Sequence, residues 1–411
     1  MIAAIPGAVE RVAEDMFLVK SQSGGGSYRV SYAGEGAKCD CPDFVKRGLP
    51  CKHALSVRFY LEKQTTNTAG ETMSVRIPIT HPQAWASYDR AQMEEIRLFD
   101  ILLADLVSSV PEPARDPHGA GRPPMAISHQ LFCTVQKVYS QMSCRRAWGL
   151  FENAVEKGLL PKAPHFGTSS AVMNRPEVTE FLHTLIARSA LPLAALENGF
   201  APDSSGFQTT SFGAWREEKH GEKRERFWLK VHVLAGVKTH VIARVVVTGK
   251  DGADCPQFEP MIRSADEGGL TVKEVYADKA YSSRDNFDLA GELGFGLYVP
   301  FKSNTTGKSG GSPLWRKAFL FFQMHRDEFD EKYHARSNVE SVFSALKRKF
   351  GETLRSKTRV AQENELLAKV LAYNLTVLIH EIFEHGVVPD FLLGSDAGRR
   401  ATGRVIDAKV S

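Results

Sequence analysis

The sequence lacks the features of a membrane or secreted protein. Among its 411 residues, the longest apolar stretch, Leu366 to Phe383, is interrupted by Lys369, Asn374 and Glu381, so we expect no membrane span. The first eleven positions already contain a proline and two charged residues, which argues against a secretory signal. These absences favour a cytoplasmic protein, most simply a prokaryotic one.

Cysteine is also scarce, with six residues in the whole chain, and three of them, Cys39, Cys41 and Cys51, fall within thirteen positions. A disulfide framework would need an oxidising compartment and more evenly distributed cysteines, so we do not expect one. The composition, with 43% hydrophobic and 24% charged residues, excludes disorder and coiled coil as the dominant state. The length allows two or three domains with one sizeable core.

The net charge is nearly balanced, at +4 from 52 basic and 48 acidic residues, and by itself identifies no partner. Its distribution is uneven, because residues 332–359 contain eight basic residues against two acidic ones, a balance of +6. This concentration suits a surface that binds a polyanion, and it is equally compatible with a solvated helix face. The basic residues are Lys332, Arg336, Lys347, Arg348, Lys349, Arg355, Lys357 and Arg359.

Changes in composition divide the chain into five parts. Residues 1–62 form a small cysteine-containing unit, and residues 63–124 combine linker sequence with a helix. Residues 125–198 show helical periodicity, residues 199–385 alternate strand and helix patterns, and residues 386–411 form a polar tail. The alternation in the fourth part predicts an α/β fold.

Apolar periodicity also predicts the individual elements. Strands are expected at residues 16–20, 27–32, 200–202, 227–234, 240–247, 272–277 and 296–300, and helices at 54–62, 92–108, 127–158, 176–189, 257–264, 285–293, 315–329, 336–350 and 363–384. The first two strands are expected to pair as a hairpin.

A cluster of potential metal ligands lies in the N-terminal unit. Cys39-Asp40-Cys41 is followed after nine residues by Cys51-Lys52-His53, which gives the pattern Cys-x-Cys-x9-Cys-x-His. Three thiolates and one imidazole complete a tetrahedral shell, the ligand set of a structural zinc site. Because such a shell leaves no open position for water, we expect no catalysis here. The alternative is that these residues are unrelated to one another.

The segments Cys-Asp-Cys-Pro-Asp-Phe over residues 39–44 and Gly-Leu-Pro-Cys-Lys-His over residues 48–53 closely resemble the SWIM zinc finger. The resemblance covers about residues 26–62. It implies a small ββα module that binds DNA or protein, with one structural Zn²⁺ held by the four residues of the pattern. Because metal binding and folding are coupled in so small a unit, the module is expected to unfold without zinc.

Two aspartates follow predicted strands. Asp203 comes directly after a short apolar run that ends at Pro202, and Asp278 ends the strand predicted over residues 272–277. Considered separately, each is most simply a turn residue or a helix cap, which are common roles for an aspartate just past a strand.

A third element carries a regular series of polar side chains, Tyr333, Arg336, Glu340 and Lys347, at intervals of 3, 7 and 14 residues from the first. On a continuous helix, these positions fall within roughly 60° of one another. The acid and its neighbours could form surface ion pairs. The same geometry also suits a metal ligand between residues that contact nucleic-acid phosphates, and the spacing does not decide between the two interpretations.

These four positions match the Tyr-(2)-Arg-(3)-Glu-(6)-Lys signature of a large group of bacterial insertion-sequence transposases with a DDE catalytic domain. The segments Pro-Asp-Ser-Ser-Gly around Asp203 and Tyr-Ala-Asp-Lys-Ala-Tyr around Asp278 are similar to the two aspartate blocks of that family. The resemblance covers about residues 125–385. It implies a ribonuclease H-like fold, a mixed sheet flanked by helices, preceded by a helical region that could bind DNA ends.

The resemblance implies that Asp203, Asp278 and Glu340 form a catalytic triad. Phosphodiester cleavage needs an activated nucleophile and a stabilised leaving oxygen, and two Mg²⁺ ions about 3.5–4 Å apart supply both. Mg²⁺ prefers oxygen ligands and keeps several waters, so a few carboxylates suffice to hold it. Without metal, three carboxylates so close together would repel one another, and we expect raised carboxylate pKa values.

For the DNA, the resemblance implies contacts from Tyr333, Arg336 and Lys347, and the basic stretch extends them to Arg348 and Lys349. The expected function is that of a DNA transposase that cuts at transposon ends and joins them to target DNA. Its expected partners are transposon-end DNA, target DNA and a second copy of the chain, with which it would form the synaptic complex. The expected location is the prokaryotic cytoplasm, at the nucleoid when the protein is bound to DNA. A metal-dependent nuclease on the same fold and a domesticated, non-catalytic DNA-binding protein remain alternatives.

Overall fold

The computed structural model divides the chain into two compact units, Met1–Pro82 and Gln83–Ser411. Three predicted parts lie outside the described residues. They are the linker sequence at residues 63–83 and 113–123, the tail beyond residue 391, and the end of the helix predicted over residues 54–62. The described residues are 8–13, 15–21, 26–33, 36–47, 51–57, 84–112, 124–209, 228–308, 310–389 and 391.

The N-terminal unit contains a four-stranded antiparallel sheet followed by short helices. Its elements are β1 (Val9–Ala13), β2 (Met16–Lys20), β3 (Ser27–Ala33), β4 (Gly36–Cys39), α1 (Pro42–Arg47) and helical residues 52–57. The strands are arranged in the order β1-β2-β3-β4. The predicted hairpin is confirmed, because β2 and β3 pair with Phe17 opposite Val30. These two side chains and Val19 are fully buried and form the core of the unit.

The larger unit is built on a five-stranded mixed sheet. Its strands are β5 (Gly199–Gln208), β6 (Trp228–Gly236), β7 (Ile242–Gly249), β8 (Glu274–Tyr276) and β9 (Gly296–Tyr298). They are arranged in the order β7-β6-β5-β8-β9. The first three strands in sequence form an antiparallel meander, and β8 and β9 run parallel to β5. Each strand predicted in this region is present, although β5 is longer than expected.

Helices cover both faces of this sheet, which confirms the predicted class, a mixed sheet flanked by helices. They are α2 (Trp85–Ser108), α3 (Ile127–Ser140), α4 (Cys144–Glu156), α5 (Thr168–Met173), α6 (Glu177–Ala190), α7 (Cys255–Glu267), α8 (Arg284–Leu293), α9 (Pro313–Met324), α10 (Arg326–Tyr333), α11 (Asn338–Phe350) and α12 (Arg359–Glu384). Short 3-10 helices occur at Leu191–Leu193, Lys279–Tyr281 and His334–Ser337.

Alternate residues of the sheet face two hydrophobic cores. On β5, Ala201 and Phe207 belong to the core that includes α2, α3, α6, α11 and α12. Phe200 belongs to the other core, with α7, α8 and α9. Because side chains two residues apart on a strand lie on the same face, Asp203 shares the face of Ala201 and Phe207. The strand pattern therefore directs Asp203 toward the side of the sheet that α11 covers.

The helix α12 lies in the middle of the first core. It is the one described helix long and apolar enough to span a membrane by length and composition, and most of it is buried inside the unit. Its polar residues have partners there. The side chain of Asn374 bonds to the backbone N–H and C=O of Ile242 at 2.9 and 2.8 Å, and Lys369 donates to the carbonyl of Gly351. The polar residues that interrupt the apolar run thus contribute to packing of the core.

Two predicted helices are each divided in the structure. The helix expected over residues 127–158 is broken at Gln141, whose φ of 55° is left-handed, and Ser143 caps α4 by accepting a hydrogen bond from the N–H of Arg146. The helix expected over residues 315–329 is divided between α9 and α10 at His325. The apolar periodicity continues across both breaks, so it does not reveal them.

Candidate active site and metal centre

Four metal-ligating side chains come together in the N-terminal unit. Cys39 ends β4, Cys41 lies just before α1, and Cys51 and His53 lie at the start of the second short helical segment. Their ligand atoms all lie within 4.8 Å of one another, and all four residues are buried. Local folding is sufficient to bring them together, because they are separated by only one strand end and one short helix.

The distances in this group fit a tetrahedral zinc shell. The Nδ1 of His53 is 3.9 Å from the Sγ of Cys39 and 3.8 Å from the Sγ of Cys51. Zn–S and Zn–N bonds of about 2.3 and 2.0–2.1 Å place neighbouring tetrahedral ligands about 3.5–3.8 Å apart. Burial raises the pKa of the Cys39 thiol to about 12, so a thiolate here needs a cation to stabilise it. The residues present therefore suit the predicted structural Zn²⁺.

In the larger unit, Asp203 and Asp278 lie level with each other along adjacent parallel strands. β5 pairs with β8 so that Phe200 is opposite Val275, and each aspartate lies three residues further along its own chain segment. Because paired strands are about 4.8 Å apart, this register brings both acids to the level where β8 ends. Asp203 lies within β5, opposite Val233 of β6, and not just after its strand as the sequence predicts. Asp278 caps the next 3-10 helix, with its Oδ1 accepting a hydrogen bond from the N–H of Ala280 at 2.7 Å.

The environment of Asp203 makes its charge unfavourable. Burial raises the pKa of this carboxyl group, and the charge of Asp278 adds to the increase, whereas the N–H of Ser204 and the guanidinium of Arg336 oppose it. The N–H of Ser204 donates to the Oδ1 of Asp203 at 2.9 Å. The raised pKa of Asp203 agrees with the expectation for neighbouring carboxylates without metal. Burial, however, contributes more to it than repulsion from Asp278 does.

Arg336 connects two members of the predicted triad. Its Nη2 lies 3.6 Å from the Oδ2 of Asp203, and its Nη1 lies 3.3 Å from the Oε1 of Glu340. The Glu340 side chain is 69% exposed, whereas that of Arg336 is 17% exposed. The guanidinium is therefore a largely buried cation between two acids. The ion pairs that the sequence offered as one interpretation of this helix face are present in the structure.

Tyr333, at the end of α10, lies near the same charged group. Burial raises the pKa of its hydroxyl, Arg336 opposes this increase, and the charges of Asp278, Asp203 and Glu340 add to it. All three predicted acids thus act electrostatically on one hydroxyl group. The structure brings these five sequence-predicted residues together near the point where β8 ends beside β5.

The donor chemistry of these acids suits a hard divalent cation, because Mg²⁺ prefers oxygen ligands. Within the described ranges, however, only the cysteine–histidine group has three or more ligand atoms close enough to share an ion. Glu340 is paired with Arg336, and its exposed side chain has room to change rotamer. The residue types fit the predicted magnesium site, and its assembly requires Glu340 to leave this pair.

The three basic residues near the end of α11 have different surroundings. Lys347 is half-buried, with its Nζ 5.4 Å from the ring centroid of Phe207. Lys349 forms an ion pair of 2.6 Å with Glu95 of α2. Arg348 is exposed. Of these three residues, Lys349 thus has a partner from a distant part of the chain, and Arg348 is the most accessible.

A fourth acid, which sequence reasoning missed, lies close to the group. The Oδ1 of Asp254, just before α7, is 2.9 Å from the Nζ of Lys230 and 3.1 Å from the Nδ1 of His232. Burial raises the pKa of Asp254, but hydrogen bonds from Ser204 and Lys230 outweigh burial and lower it. Its charge contributes to the raised pKa of Asp203. In the sequence, Asp254 is marked only by its position before a predicted helix. Any residue that caps a helix has such a position, so it does not indicate a functional role.

Tyr281, from the second aspartate block, is also part of this environment. Its ring packs against Phe258, and burial raises the pKa of its hydroxyl, with Asp254, Asp203 and Asp278 adding to the increase. Among the described residues this buried hydroxyl has no hydrogen-bond partner. Because an unpaired buried hydroxyl lowers stability, the group is suited to a ligand or water that enters the site.

Comparison with known protein families gives two matches. Residues 195–375 match the family model of the transposase DDE domain, and residues 28–59 match that of the SWIM zinc finger. The first match contains the three predicted acids, and the second contains the four zinc-type ligands. Both resemblances predicted from the sequence are therefore confirmed, and the mixed sheet with its flanking helices is consistent with a ribonuclease H-like DDE domain.

Proposed function

We propose that this protein, which carries a transposase DDE domain and a SWIM zinc finger, is a DNA transposase that cleaves transposon ends and joins them to target DNA. The main support is the common level of Asp203 and Asp278 along paired parallel strands, together with the ion pairs that connect Asp203 and Glu340 through Arg336. Carboxylates from neighbouring strands and a following helix suit phosphoryl transfer at divalent cations.

Asp203, Asp278 and Glu340 would hold the catalytic cations, for which we propose two Mg²⁺. When bound, Mg²⁺ activates the attacking oxygen and stabilises the leaving oxygen of an in-line displacement. Before the cations enter, Arg336 balances the charges of Asp203 and Glu340. Once the cations balance those charges, the guanidinium is available to bind a phosphate group with two parallel hydrogen bonds.

The two chemical steps would use the same acids. In the first, water attacks the phosphodiester at the transposon end, and the 3′-hydroxyl leaves. In the second, this 3′-hydroxyl attacks a target phosphodiester, so one P–O bond forms as another breaks and no further energy source is required. The strand β5 carries Asp203, Asp278 caps the 3-10 helix just after β8, and α11 supplies Glu340.

The DNA would contact the surface around α10 and α11. We propose phosphate contacts from Tyr333, Arg336, Lys347 and Arg348, of which Arg348 is the most exposed. Lys349, also predicted to bind DNA, is already paired with Glu95. We therefore expect it to contribute less to DNA binding than Lys347 or Arg348.

Joining two ends requires two active sites, and we propose that a homodimer forms the synaptic complex. The SWIM zinc finger would assist by binding DNA or protein. The protein would act on the nucleoid in a prokaryotic cytoplasm. The direct test of the activity is incubation of the full-length protein with end-bearing DNA and Mg²⁺. We expect a cut at the 3′ end of the transposon strand, and no cut when EDTA replaces Mg²⁺.

Replacing Lys347 by alanine should weaken the binding of end DNA and lower the slope of log K against log salt by about 0.9, because one phosphate contact is lost. The loss should be similar for many sequences, since a phosphate contact carries no direct base information. Titrations of labelled duplex DNA across a salt series measure both effects.

The Lys349→Ala variant is the matched control for this measurement. Because Lys349 pairs with the largely buried Glu95, its removal should lower the melting temperature and leave the salt slope nearly unchanged. An unaltered slope and affinity for Lys347→Ala would show that Lys347 only packs against Phe207, and would contradict its proposed contact with DNA.

A further inference from the structure

A cavity lies in the larger unit, and none of the three predicted acids lines it. Its volume is about 600 Å³. The walls come from the end of α3, the starts of α4 and α5, and the segment that leads into α12. This last segment, residues 355–358, belongs to the basic stretch 332–359, so the cavity lies where that stretch ends.

The charge of this cavity is positive. Lys137, Arg355 and Lys357 line it, and no acidic residue is among the lining residues in the described part of the chain. Burial lowers the pKa of nearby Lys369 to about 8; Glu365 opposes this decrease, and the charges of Arg355 and Lys137 add to it. Burial is the main cause of this lowered pKa, and the charges of the two lining residues Arg355 and Lys137 act in the same direction.

Two long helices also begin at this cavity. Ser143 is the N-cap of α4, Thr358 is the N-cap of α12, and both residues line the cavity. The N-terminal turn of a helix presents backbone N–H groups without intrahelical partners and the positive end of the helix dipole. The α12 helix is 26 residues long and α4 is 13 residues long, so both carry this property. Together they suit an anion with several acceptor oxygens.

An independent observation concerns Ser169 in the cavity wall. The residue is 1% exposed, and its Oγ has no hydrogen-bond partner among the described residues. A buried hydroxyl is normally paired, and an unpaired one is unfavourable. Because this Oγ has almost no accessible surface in the free protein, an acceptor oxygen in the cavity would reach it only after a small movement of the wall.

We propose that this cavity binds a phosphate group of the DNA backbone, at a position away from the phosphate that is cleaved. The proposal rests on the proposed function for the identity of the DNA. Among the described residues, Arg355 uses one of its five side-chain N–H donors, for the carbonyl of Gln141, which leaves others for a phosphate. Lys357 is exposed and would provide a second charge.

A backbone phosphate fits better than a free nucleotide. In the described chain, no aromatic side chain that could stack on a base lines the cavity. The helix α11 carries Glu340 in its first turn and leads directly into the segment that lines the cavity. Its thirteen residues span about 20 Å, which equals the rise of about six nucleotides of duplex DNA. One duplex could therefore reach both places.

The test compares the wild-type protein with the double variant Arg355→Gln/Lys357→Gln and with Ser169→Ala, which is less disturbing to the fold. Lys302→Gln, at an exposed lysine elsewhere, is the control. We expect inorganic phosphate to raise the melting temperature of the wild type and the control, and to raise it less or not at all for the cavity variants. Melting curves without phosphate verify that each variant is folded.

The same proteins are then bound to end DNA. For the double variant, we expect the salt slope to fall by about 0.9, as for one lost phosphate contact. In an ethylation-interference experiment, we expect one phosphate about six nucleotides from the cleaved position to respond differently in the two proteins. Its ethylation should weaken DNA binding by the wild type and leave binding by the double variant unchanged. A phosphate-dependent melting temperature without these DNA effects would overturn the DNA assignment and leave a site for a free anion.

Equal responses of wild type and cavity variants to phosphate and to DNA would overturn the site altogether. These outcomes are separate from the proposed function, because phosphate binding is measured without cleavage. If end DNA is never cleaved but the melting temperature responds to phosphate as expected, the proposed function fails and the anion site stands.

Discussion

Replacing Glu340 by alanine should reduce cleavage of transposon-end DNA by more than about 100-fold, since the loss of a residue that only supports a metal ligand already costs 10–100-fold. Glu340 pairs with Arg336 and is mostly exposed, so the fold should not depend on it. Binding of end DNA should remain nearly intact, because phosphate contacts and metal binding use different side chains. Rates measured at saturating Mg²⁺ and DNA separate the two functions.

The control for this prediction is Glu328→Ala, at an exposed glutamate of α10, which should cleave normally. Asp203→Ala and Asp278→Ala should behave like Glu340→Ala. A Glu340→Ala protein that retains more than a few per cent of the wild-type rate would remove Glu340 from the triad. Loss of binding together with cleavage would instead indicate that this residue supports the DNA-binding surface.

Replacing Cys51 by serine should abolish zinc binding and unfold the N-terminal unit. The apparent binding free energy of a structural zinc site is about 10–16 kcal/mol, which exceeds the stability that so small a core can supply. Cys51 is buried beside Cys39, Cys41 and His53, so its replacement removes one of the four ligands of the group. The larger unit should stay folded, because the two units are separate groups of contacts.

Metal analysis and limited proteolysis measure this effect. The wild type should hold one Zn²⁺ per chain, and Cys51→Ser should hold none and be cleaved within its first 82 residues. Cys255→Ser is the matched control, because Cys255 is outside the zinc-type group and should leave zinc binding unchanged. A folded N-terminal unit in protein that contains no zinc would reject the structural role of the metal.

The zinc-type ligand group was predictable because it is local. Cys39 and His53 are only fourteen positions apart in the chain, so their spacing alone limits how far apart they can be. The same reasoning succeeded for the strands of the larger sheet, whose apolar patterns are strong. It failed at Gln141 and His325, where a single residue ends a helix without interrupting the apolar pattern.

The predicted active site depended more on tertiary structure. Family resemblance identified Asp203 and Asp278. Their common level depends on the strand register that places Phe200 opposite Val275, and neither sequence segment predicts that register. The spacing from Tyr333 to Lys347 predicts one helix face, whereas residues 334–337 form a 3-10 helix. With about three residues per turn there, the angles calculated for a continuous α-helix do not apply.

Sequence patterns do not predict contacts between residues that are far apart in the chain. Lys349 pairs with Glu95, 254 positions away, and this pair changes what is expected of a residue that charge alone assigned to DNA. Asp254 approaches Lys230 and His232 only because β6 and the start of α7 meet beside β5. Both cases require the arrangement of the sheet, which no local segment contains.

The central claim is that the acids around Asp203 catalyse both cleavage and joining of DNA. It is tested most directly with a labelled, pre-cut transposon end that already carries a 3′-hydroxyl, incubated with the full-length protein, Mg²⁺ and a supercoiled plasmid. We expect labelled plasmid that is nicked or linear, and none with Glu340→Ala. Plasmid nicking without transfer of the label would indicate a nuclease, and binding without either product would indicate a non-catalytic protein; each result would contradict the account.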